Sequence, residues 1–170
     1  MEPQDLEAQL EGLHPLGFAW AVRCCRGDRA EAEDILHLAY LKVFDGRARF
    51  DGRSQLKTWL FGVIRRTAYE QHRWRWSQAT RLGRWWRERG DLAEDPGLAD
   101  EVADRAAKLR AALGRLSKRQ GEVLHLVFFQ DLTIREAATV LGVPVGTART
   151  HYERGKARLR AVLGPMEVGS

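Results

Sequence analysis

IREAATVLGVPVGTART, residues 134–150, has the pattern of two short helices joined by a tight turn. Ala138 precedes Gly142 by four positions, and Ala148 follows that glycine by six. A small residue lets two helices cross closely, glycine permits the turn, and the later apolar residue seats the second helix on the first. The stretch therefore predicts a helix-turn-helix, a motif typical of proteins that bind duplex DNA.

The residues around this motif predict where its helices begin and end. Ser117 with Gln120, and Thr133 with Glu136, form capping boxes that open two helices. Pro144 suits the first turn of a last helix that reaches about Leu163. Polar side chains on that last helix are candidates for contacts with groove edges and phosphates. They are Thr147, Arg149, Thr150, His151, Arg154, Lys156 and Arg158. A plain helical hairpin with a solvated basic face is the alternative.

The N-terminal half is also predicted to be helical, since no sustained alternation of a strand occurs. A first helix covers about residues 5–25, bent or broken at Pro15, and a second ends at Asp45. Ser54 is predicted to cap a third helix. Its apolar stripe is Leu56, Trp59, Leu60, Val63, Ile64 and Ala68. Trp20 and Trp59 are expected to be core anchors rather than base-stacking residues.

Basic and aromatic residues are concentrated between positions 65 and 89, which hold eight arginines, four tryptophans and only two acids. Rings can stack on unpaired bases while arginines hold phosphates, so this block favours a nucleic-acid contact over a merely solvated face. Residues 91–104 are negatively charged instead, with six acids and no base. The sequence predicts an all-α protein of two small helical domains, residues 1–77 and 105–164, joined by a flexible linker (78–104) and followed by a tail (165–170).

Composition excludes several classes of protein. The chain has 170 residues, 28 Lys+Arg against 23 Asp+Glu, and a net charge of +5. No apolar run approaches the ~20 residues that span a bilayer, so we expect no membrane insertion and a cytoplasmic location. Motif spacings such as HExxH, CxxC and the P-loop are missing, so no enzyme activity, cofactor or metal is predicted. Cys24 and Cys25 are interpreted as packing residues, with a redox or metal sensor as the alternative.

Two runs of the sequence resemble a known family. Residues 116–160, LSKRQGEVLHLVFFQDLTIREAATVLGVPVGTARTHYERGKARLR, resemble the fourth conserved region of bacterial extracytoplasmic-function (ECF) sigma factors. Residues 27–68, GDRAEAEDILHLAYLKVFDGRARFDGRSQLKTWLFGVIRRTA, resemble their second region. The resemblance implies a factor that recruits core RNA polymerase to promoters. Its C-terminal domain would read the minus-thirty-five element and its N-terminal domain would melt and read the minus-ten element.

The resemblance also implies sites and partners. The helix holding AEDILHLAYLKVF would grip the clamp helices of the largest polymerase subunit, and the flap of the second-largest subunit is a further expected contact. Residues expected to bind the polymerase are Asp34, His37, Leu38, Leu41 and Lys42. Those expected to contact the minus-ten element are Arg53, Ser54, Arg65, Arg66, Arg73, Trp74, Arg75 and Trp76. Arg65, Arg66, Trp74 and Trp76 are expected to line one groove. An anti-sigma factor is a further partner the family suggests.

Some positions depart from the family pattern. His37-Leu38 stands where the family usually has a Gln-Glu pair, and Arg66 stands where it usually has an asparagine. On the recognition helix, His151 replaces the usual arginine. Gly155 places a poor helix former on that helix. These departures leave the promoter sequence open.

Two alternative functions remain. One is a stand-alone operator-binding regulator, for which residues 28–76 have no evident use. The other is a module that sequesters another regulator, which would not need the arginine-rich block.

Overall fold

The computed structural model describes the backbone of residues 3–81 and 111–163 and the side chains of residues 5–77 and 111–161. Within these ranges the protein has six helices and no strand, which confirms the all-α prediction. The helices are α1 (Pro3–Cys24), α2 (Arg29–Phe44), α3 (Leu56–Arg81), α4 (Lys118–Phe128), α5 (Ile134–Leu141) and α6 (Val145–Leu163). None of these helices is long and apolar enough to cross a membrane.

The chain divides into two compact units, Met1–Ala93 and Glu94–Ser170. Helix α3 continues past residue 77, where the first domain was predicted to end. Most of the predicted linker (78–104), the first residues of the second predicted domain and the tail after Leu163 lie outside the described residues.

Helices α1, α2 and α3 form the N-terminal unit around a buried tryptophan. Trp20 is fully buried, its indole Nε1–H donates to the carbonyl oxygen of Phe61 at 3.0 Å, and its ring packs on the Phe61 ring. The hydrogen bond satisfies the polar atom of a large apolar side chain, so it offsets the cost of removing the indole N–H from water. Other core residues are Ala32, Ile35, Leu36, Ala39, Leu60, Val63, Ile64 and Ala68.

Two local predictions for this unit were wrong, and a third, that α1 is bent or broken at Pro15, is wrong as to the break. Helix α1 runs unbroken through Pro15, which lies on an exposed face where water can satisfy the carbonyl left without a donor. Helix α3 begins at Leu56, and the carbonyl of Gln55 accepts its first backbone bond, from Trp59 at 3.0 Å. Ser54 is therefore not the cap. Trp59 is only half-buried and packs on the ring of Phe50 instead of anchoring the core.

Helices α4, α5 and α6 form the C-terminal unit, and here the local predictions are confirmed. Both capping boxes are present, at Ser117 and at Thr133. Gly142 ends α5 in the left-handed conformation at φ +64°, which a side chain rarely adopts. Ala138 and Ala148 are both buried where α5 and α6 cross. The unit contains the predicted helix-turn-helix.

Gly155 allows α6 to pack closely on α4. A Cβ atom at this position would lie 2.8 Å from Leu124 Cδ1 and 3.4 Å from Gln120 Cβ. The sequence identified Gly155 only as a poor helix former. The structure shows that the absence of a side chain is what lets the two helices approach.

Candidate nucleic-acid interface

The rotation of helix α6 about its own axis is fixed by two buried residues, Ala148 and Gly155, which face the other helices. With these residues against α4 and α5, Thr147, Arg149 and Arg154 are exposed. His151 is half-buried at the edge of this face. The N-terminal part of α6 therefore presents polar and cationic side chains outward, as a helix that enters the major groove requires.

Arg149 and Arg154 form no hydrogen bond or ion pair with any residue that the structure describes. Thr150 donates its hydroxyl to the carbonyl of Gly146 at 3.0 Å, so this side chain is already engaged within the helix. The two guanidinium groups keep all of their donors for an external acceptor. Arginine can use these donors in pairs on guanine or on phosphate.

Two basic residues further along α6, Lys156 and Arg158, have partners within the protein. Lys156 lies 3.6 Å from Glu153 and sits over the ring of Tyr152. Arg158 donates from Nη1 to the carbonyl oxygen of Arg115 at 3.0 Å, near the end of the turn that precedes α4. These two side chains help to hold the unit together, whereas Arg149 and Arg154 do not.

On α3 two arginines share one exposed face. Arg66 and Arg73 are seven residues apart, about two helical turns, and both are exposed without a partner among residues 5–77. Arg65 has turned toward Tyr69 instead: its Nη2 donates to the Tyr69 hydroxyl at 3.2 Å, and its guanidinium lies over that ring. Among the side chains of α3 that the structure describes, those of Arg66 and Arg73 are thus the arginines available to a polyanion.

Trp74 and Trp76 are 58% and 74% exposed, unusually high values for tryptophan. They are two positions apart on a regular helix, so they point to nearly opposite sides. The expectation that both tryptophans line one groove with Arg65 and Arg66 is therefore wrong. At most one of them can face the surface that carries Arg66 and Arg73.

Two of the predicted interface cations are paired with acids of the N-terminal unit. Arg75 Nη1 lies 2.5 Å from Glu31 Oε1. Lys42 Nζ donates to Glu70 and, at 3.1 Å, to the hydroxyl of Thr67. Each pair joins α2 to α3, so these side chains stabilise the packing of the two helices.

The loop before α3 is organised by Asp51. Its Oδ1 accepts from the backbone N–H of Arg53 at 3.2 Å, and its Oδ2 lies 3.2 Å from Arg53 Nε. Gly52 between them has φ +74°, which favours glycine. Ser54 donates to the carbonyl of Gln55 at 3.3 Å. The loop presents Arg53 to solvent beside the start of α3.

The outward face of α2 carries most of the residues predicted to bind polymerase. Asp34 and His37 are exposed, Leu38 is half-buried and Leu41 is 56% exposed. Asp34, His37 and Leu38 line a shallow groove together with Gln71 and Arg75 of α3. Lys42 does not belong to this face because it is bonded to α3.

Sequence reasoning missed Phe44, a large exposed apolar residue one turn beyond Tyr40.

A cluster of potential metal ligands was also missed. Ligand atoms of Cys25, Glu31 and His72 all lie within 4.8 Å of one another. Motif spacing could not reveal this cluster, because the residues belong to three different segments of the chain.

Comparison with known proteins agrees with this architecture. Residues 10–78 match the family described as Sigma-70 region 2, and residues 106–159 match Sigma-70, region 4. The ECF RNA polymerase sigma factor SigX of Bacillus subtilis is 31% identical over 137 residues, which cover 78% of this chain and 71% of SigX. The RNA polymerase sigma factor NccH of Alcaligenes xylosoxydans is 26% identical over 94% of this chain and 88% of NccH.

Solved structures share the fold. A sigma factor RpoE crystallised with the anti-sigma factor NepR from Bartonella quintana matches with a TM-score of 0.73 and 24% identity, covering 96% of this chain and 99% of that one. CnrH in complex with the cytosolic domain of CnrY matches with a TM-score of 0.60 and 20% identity, covering 92% and 86%.

A region 2 unit followed by a region 4 helix-turn-helix defines a sigma factor of the Sigma-70 class. Within that class, the chain belongs to the ECF RNA polymerase sigma factors, and it acts in promoter-directed transcription.

Proposed function

We propose that α6 reads the upstream promoter element, at minus thirty-five, through Thr147, Arg149, Thr150, His151 and Arg154. The single observation that carries this proposal is the pair of exposed guanidinium groups, Arg149 and Arg154, on a helix whose rotation is set by buried Ala148 and Gly155. Lys156 and Arg158 lie further along and contribute positive charge near phosphates, with part of their hydrogen-bonding capacity used inside the protein.

The N-terminal unit would open and hold the downstream element, at minus ten. Arg66 and Arg73 supply unpaired charge, Trp74 and Trp76 supply exposed rings, and the loop with Arg53 and Ser54 lies at the start of the same helix. Opening DNA costs a few kcal/mol per unstacked step, which stacking on aromatic rings can offset. Arg65 and Arg75 contribute after leaving their present partners, Tyr69 and Glu31.

The outward face of α2 would bind core polymerase at the clamp helices, and the C-terminal unit would contact the flap. Leu41 and Phe44 are exposed apolar residues on a charged helix, which is typical of a protein contact. Asp34, His37 and Leu38 border this surface, and Lys42 acts by fixing α2 on α3. The protein supplies no catalytic group or cofactor, and it works where the polymerase does, in the cytoplasm.

An anti-sigma factor is a second proposed partner. One structure with the same fold is a complex of a sigma factor with an anti-sigma factor, and in another CnrH is bound to the cytosolic domain of CnrY. An inhibitor that covers α2 would compete directly with the polymerase.

Reconstitution with core polymerase tests the proposal. We expect this chain to co-elute with core polymerase in gel filtration and to direct run-off transcription from a subset of genomic promoters. Leu41→Glu should abolish co-elution, whereas Glu33→Lys, a charge change on an exposed neighbouring position of α2, should leave it intact. Binding of the chain alone to closed duplex, with no effect of polymerase, would instead indicate a stand-alone operator-binding regulator.

The role of the tryptophans is tested on two templates. Trp74→Ala and Trp76→Ala should lower open-complex formation on duplex promoters more than on templates already mismatched at the minus-ten element, because mismatches remove the cost of unpairing. Since the two rings point to opposite sides of α3, one of the two substitutions should account for most of the effect. Equal losses on both templates would contradict a role in melting.

A further inference from the structure

We propose that Cys25, Glu31 and His72 form a binding site for a divalent transition-metal ion, with Zn²⁺ as the best chemical match. The site lies in the N-terminal unit, and its three ligands are not among the residues assigned to DNA or polymerase, but Arg75, which is assigned to the minus-ten element, contacts Glu31. It joins the segment just after α1, the first turn of α2 and the middle of α3.

The distances suit a tetrahedral ion. The sulfur of Cys25, a carboxylate oxygen of Glu31 and an imidazole nitrogen of His72 lie within 4.8 Å of one another, and Glu31 Oε1 is 3.2 Å from His72 Nε2. With Zn²⁺ bonds of about 2.0–2.3 Å, neighbouring ligand atoms in a tetrahedral site are roughly 3.3–3.8 Å apart. Small side-chain rotations therefore bring all three atoms onto one ion.

The donor set also points to zinc. Thiolate, imidazole and carboxylate are the three protein ligands that zinc combines, whereas calcium and magnesium prefer oxygen alone. Three protein ligands leave a fourth position for water. Cys25 is buried and the Glu31 side chain is 13% exposed, but that of His72 is 31% exposed and provides an entry path.

Arg75 adds an outer contact to the cluster. Its Nη1 lies 2.5 Å from Glu31 Oε1, so the carboxylate is held by a hydrogen bond in addition to its contact with His72. Outer partners of this kind fix the orientation of metal ligands. A bound ion would also hold His72 one position before Arg73, so it would brace the part of α3 that carries the exposed arginine and tryptophans.

Metal titration of the full chain tests this inference. The protein is stripped of metal and titrated with Zn²⁺ by calorimetry, and with Co²⁺, whose bond to a thiolate gives a charge-transfer absorption band. We expect one ion per chain, a cobalt–thiolate band, and at least a tenfold loss of affinity in Cys25→Ser. The matched control is Cys24→Ser, which changes the neighbouring buried cysteine outside the cluster and should bind as the parent protein does.

A second variant keeps the test valid if Cys25→Ser fails to fold. Glu31→Gln keeps the size of the side chain and an oxygen that accepts from Arg75, yet it removes the charge that a cation needs. Zn²⁺ at about 100 times its Kd should raise the Tm of the parent protein by roughly 10 °C, and this shift should be largely lost in Glu31→Gln.

Three results would overturn the assignment. They are the absence of saturable Zn²⁺ binding, unchanged affinity in Cys25→Ser and Glu31→Gln, and a loss in Cys24→Ser equal to that in Cys25→Ser. The first would leave the cluster as a hydrogen-bonded group only. The last would place the ion on the adjacent cysteine pair instead. None of these results bears on the sigma factor activity, which is measured separately by transcription.

Discussion

Each unit has both paired basic residues and basic residues without a partner among the described residues, and the two units differ in what the paired ones do. In the N-terminal unit Arg75, Lys42 and Arg47 are each bonded to an acid of the same unit. In the C-terminal unit Arg149 and Arg154, which lead the outward face of α6, have no such partner among the described residues. A cation that is already paired must give up part of that interaction to bind phosphate, so its net contribution to DNA binding is smaller.

The density of arginine in a sequence therefore overstates the positive charge that is available to DNA. In the N-terminal unit Arg75 and Lys42 hold α2 against α3. In the C-terminal unit α6 is positioned by apolar packing at Ala148 and by the glycine at position 155, which leaves its first arginines free.

The largest expected effect separates the two kinds of tryptophan in the N-terminal unit. Trp20→Ala should lower the free energy of unfolding by about 3–5 kcal/mol, because the fully buried ring and its bond to Phe61 are lost. Trp76→Ala should change it by less than about 0.5 kcal/mol. Denaturant unfolding of both variants measures this. A large cost for Trp76→Ala would assign that ring to the fold and remove it from the interface.

The next effect tests how α6 is positioned. Gly155→Val should destabilise the C-terminal unit by roughly 1–3 kcal/mol, since the new side chain collides with Leu124. Gly146→Val is the matched control, because no atom lies within 4 Å of a Cβ built there. Chemical denaturation gives both values. If the two variants unfold alike, the contact at Gly155 does not fix α6.

The free and the paired arginines of α6 should behave differently on DNA. Arg149→Ala should cost about 1–3 kcal/mol on the cognate upstream element and flatten discrimination against mutated elements. Arg158→Ala should weaken all duplexes nearly equally and reduce the salt slope by about one or less, since Arg158 also bonds to Arg115. Binding to cognate and scrambled duplexes at several salt concentrations distinguishes these outcomes. A uniform, salt-linked loss for Arg149→Ala would make Thr150 or His151 the candidate reader.

The same contrast exists within α3. Arg73→Ala should reduce the salt slope of binding to single-stranded minus-ten DNA by about one, because Arg73 is unpaired among the described residues. Arg75→Ala should reduce it by less, since Glu31 partly neutralises Arg75. Titrations of the holoenzyme at several salt concentrations measure both slopes. Equal slopes would show that the ion pair with Glu31 opens on binding.

The smallest expected effect concerns an exposed pair at the end of α2. The hydrogen bond from Arg47 holds the pKa of the Asp45 carboxyl below its ordinary value of 3.8. A carboxyl with a lowered pKa stabilises the fold above its ordinary pKa, and this contribution is lost as the pH falls through the lowered value. In Arg47→Ala the pKa of Asp45, followed by NMR, should rise toward 3.8. An unchanged pKa would mean that the pair does not persist in solution.

Features that depend on neighbouring residues could be predicted from the amino-acid sequence. The capping boxes at Ser117 and Thr133, the left-handed turn at Gly142 and the course of α6 each depend on residues within one or two helical turns. The same holds for the helical class and for the exposed face of α2 that carries Asp34 and Leu41. Local hydrogen bonds and periodicity specify such features, and residue types reveal them directly.

The contacts between side chains of different helices became visible in the folded structure. Arg75 and Glu31 are 44 positions apart, and Arg158 and Arg115 are 43 apart. The approach of α6 to α4 at Gly155 and the cluster of Cys25, Glu31 and His72 likewise join distant segments. Such contacts depend on the rotation and crossing of packed helices, which no local pattern records. The sequence therefore predicted the basic surfaces, and the packing of the helices determined which basic side chains on them are paired with another residue.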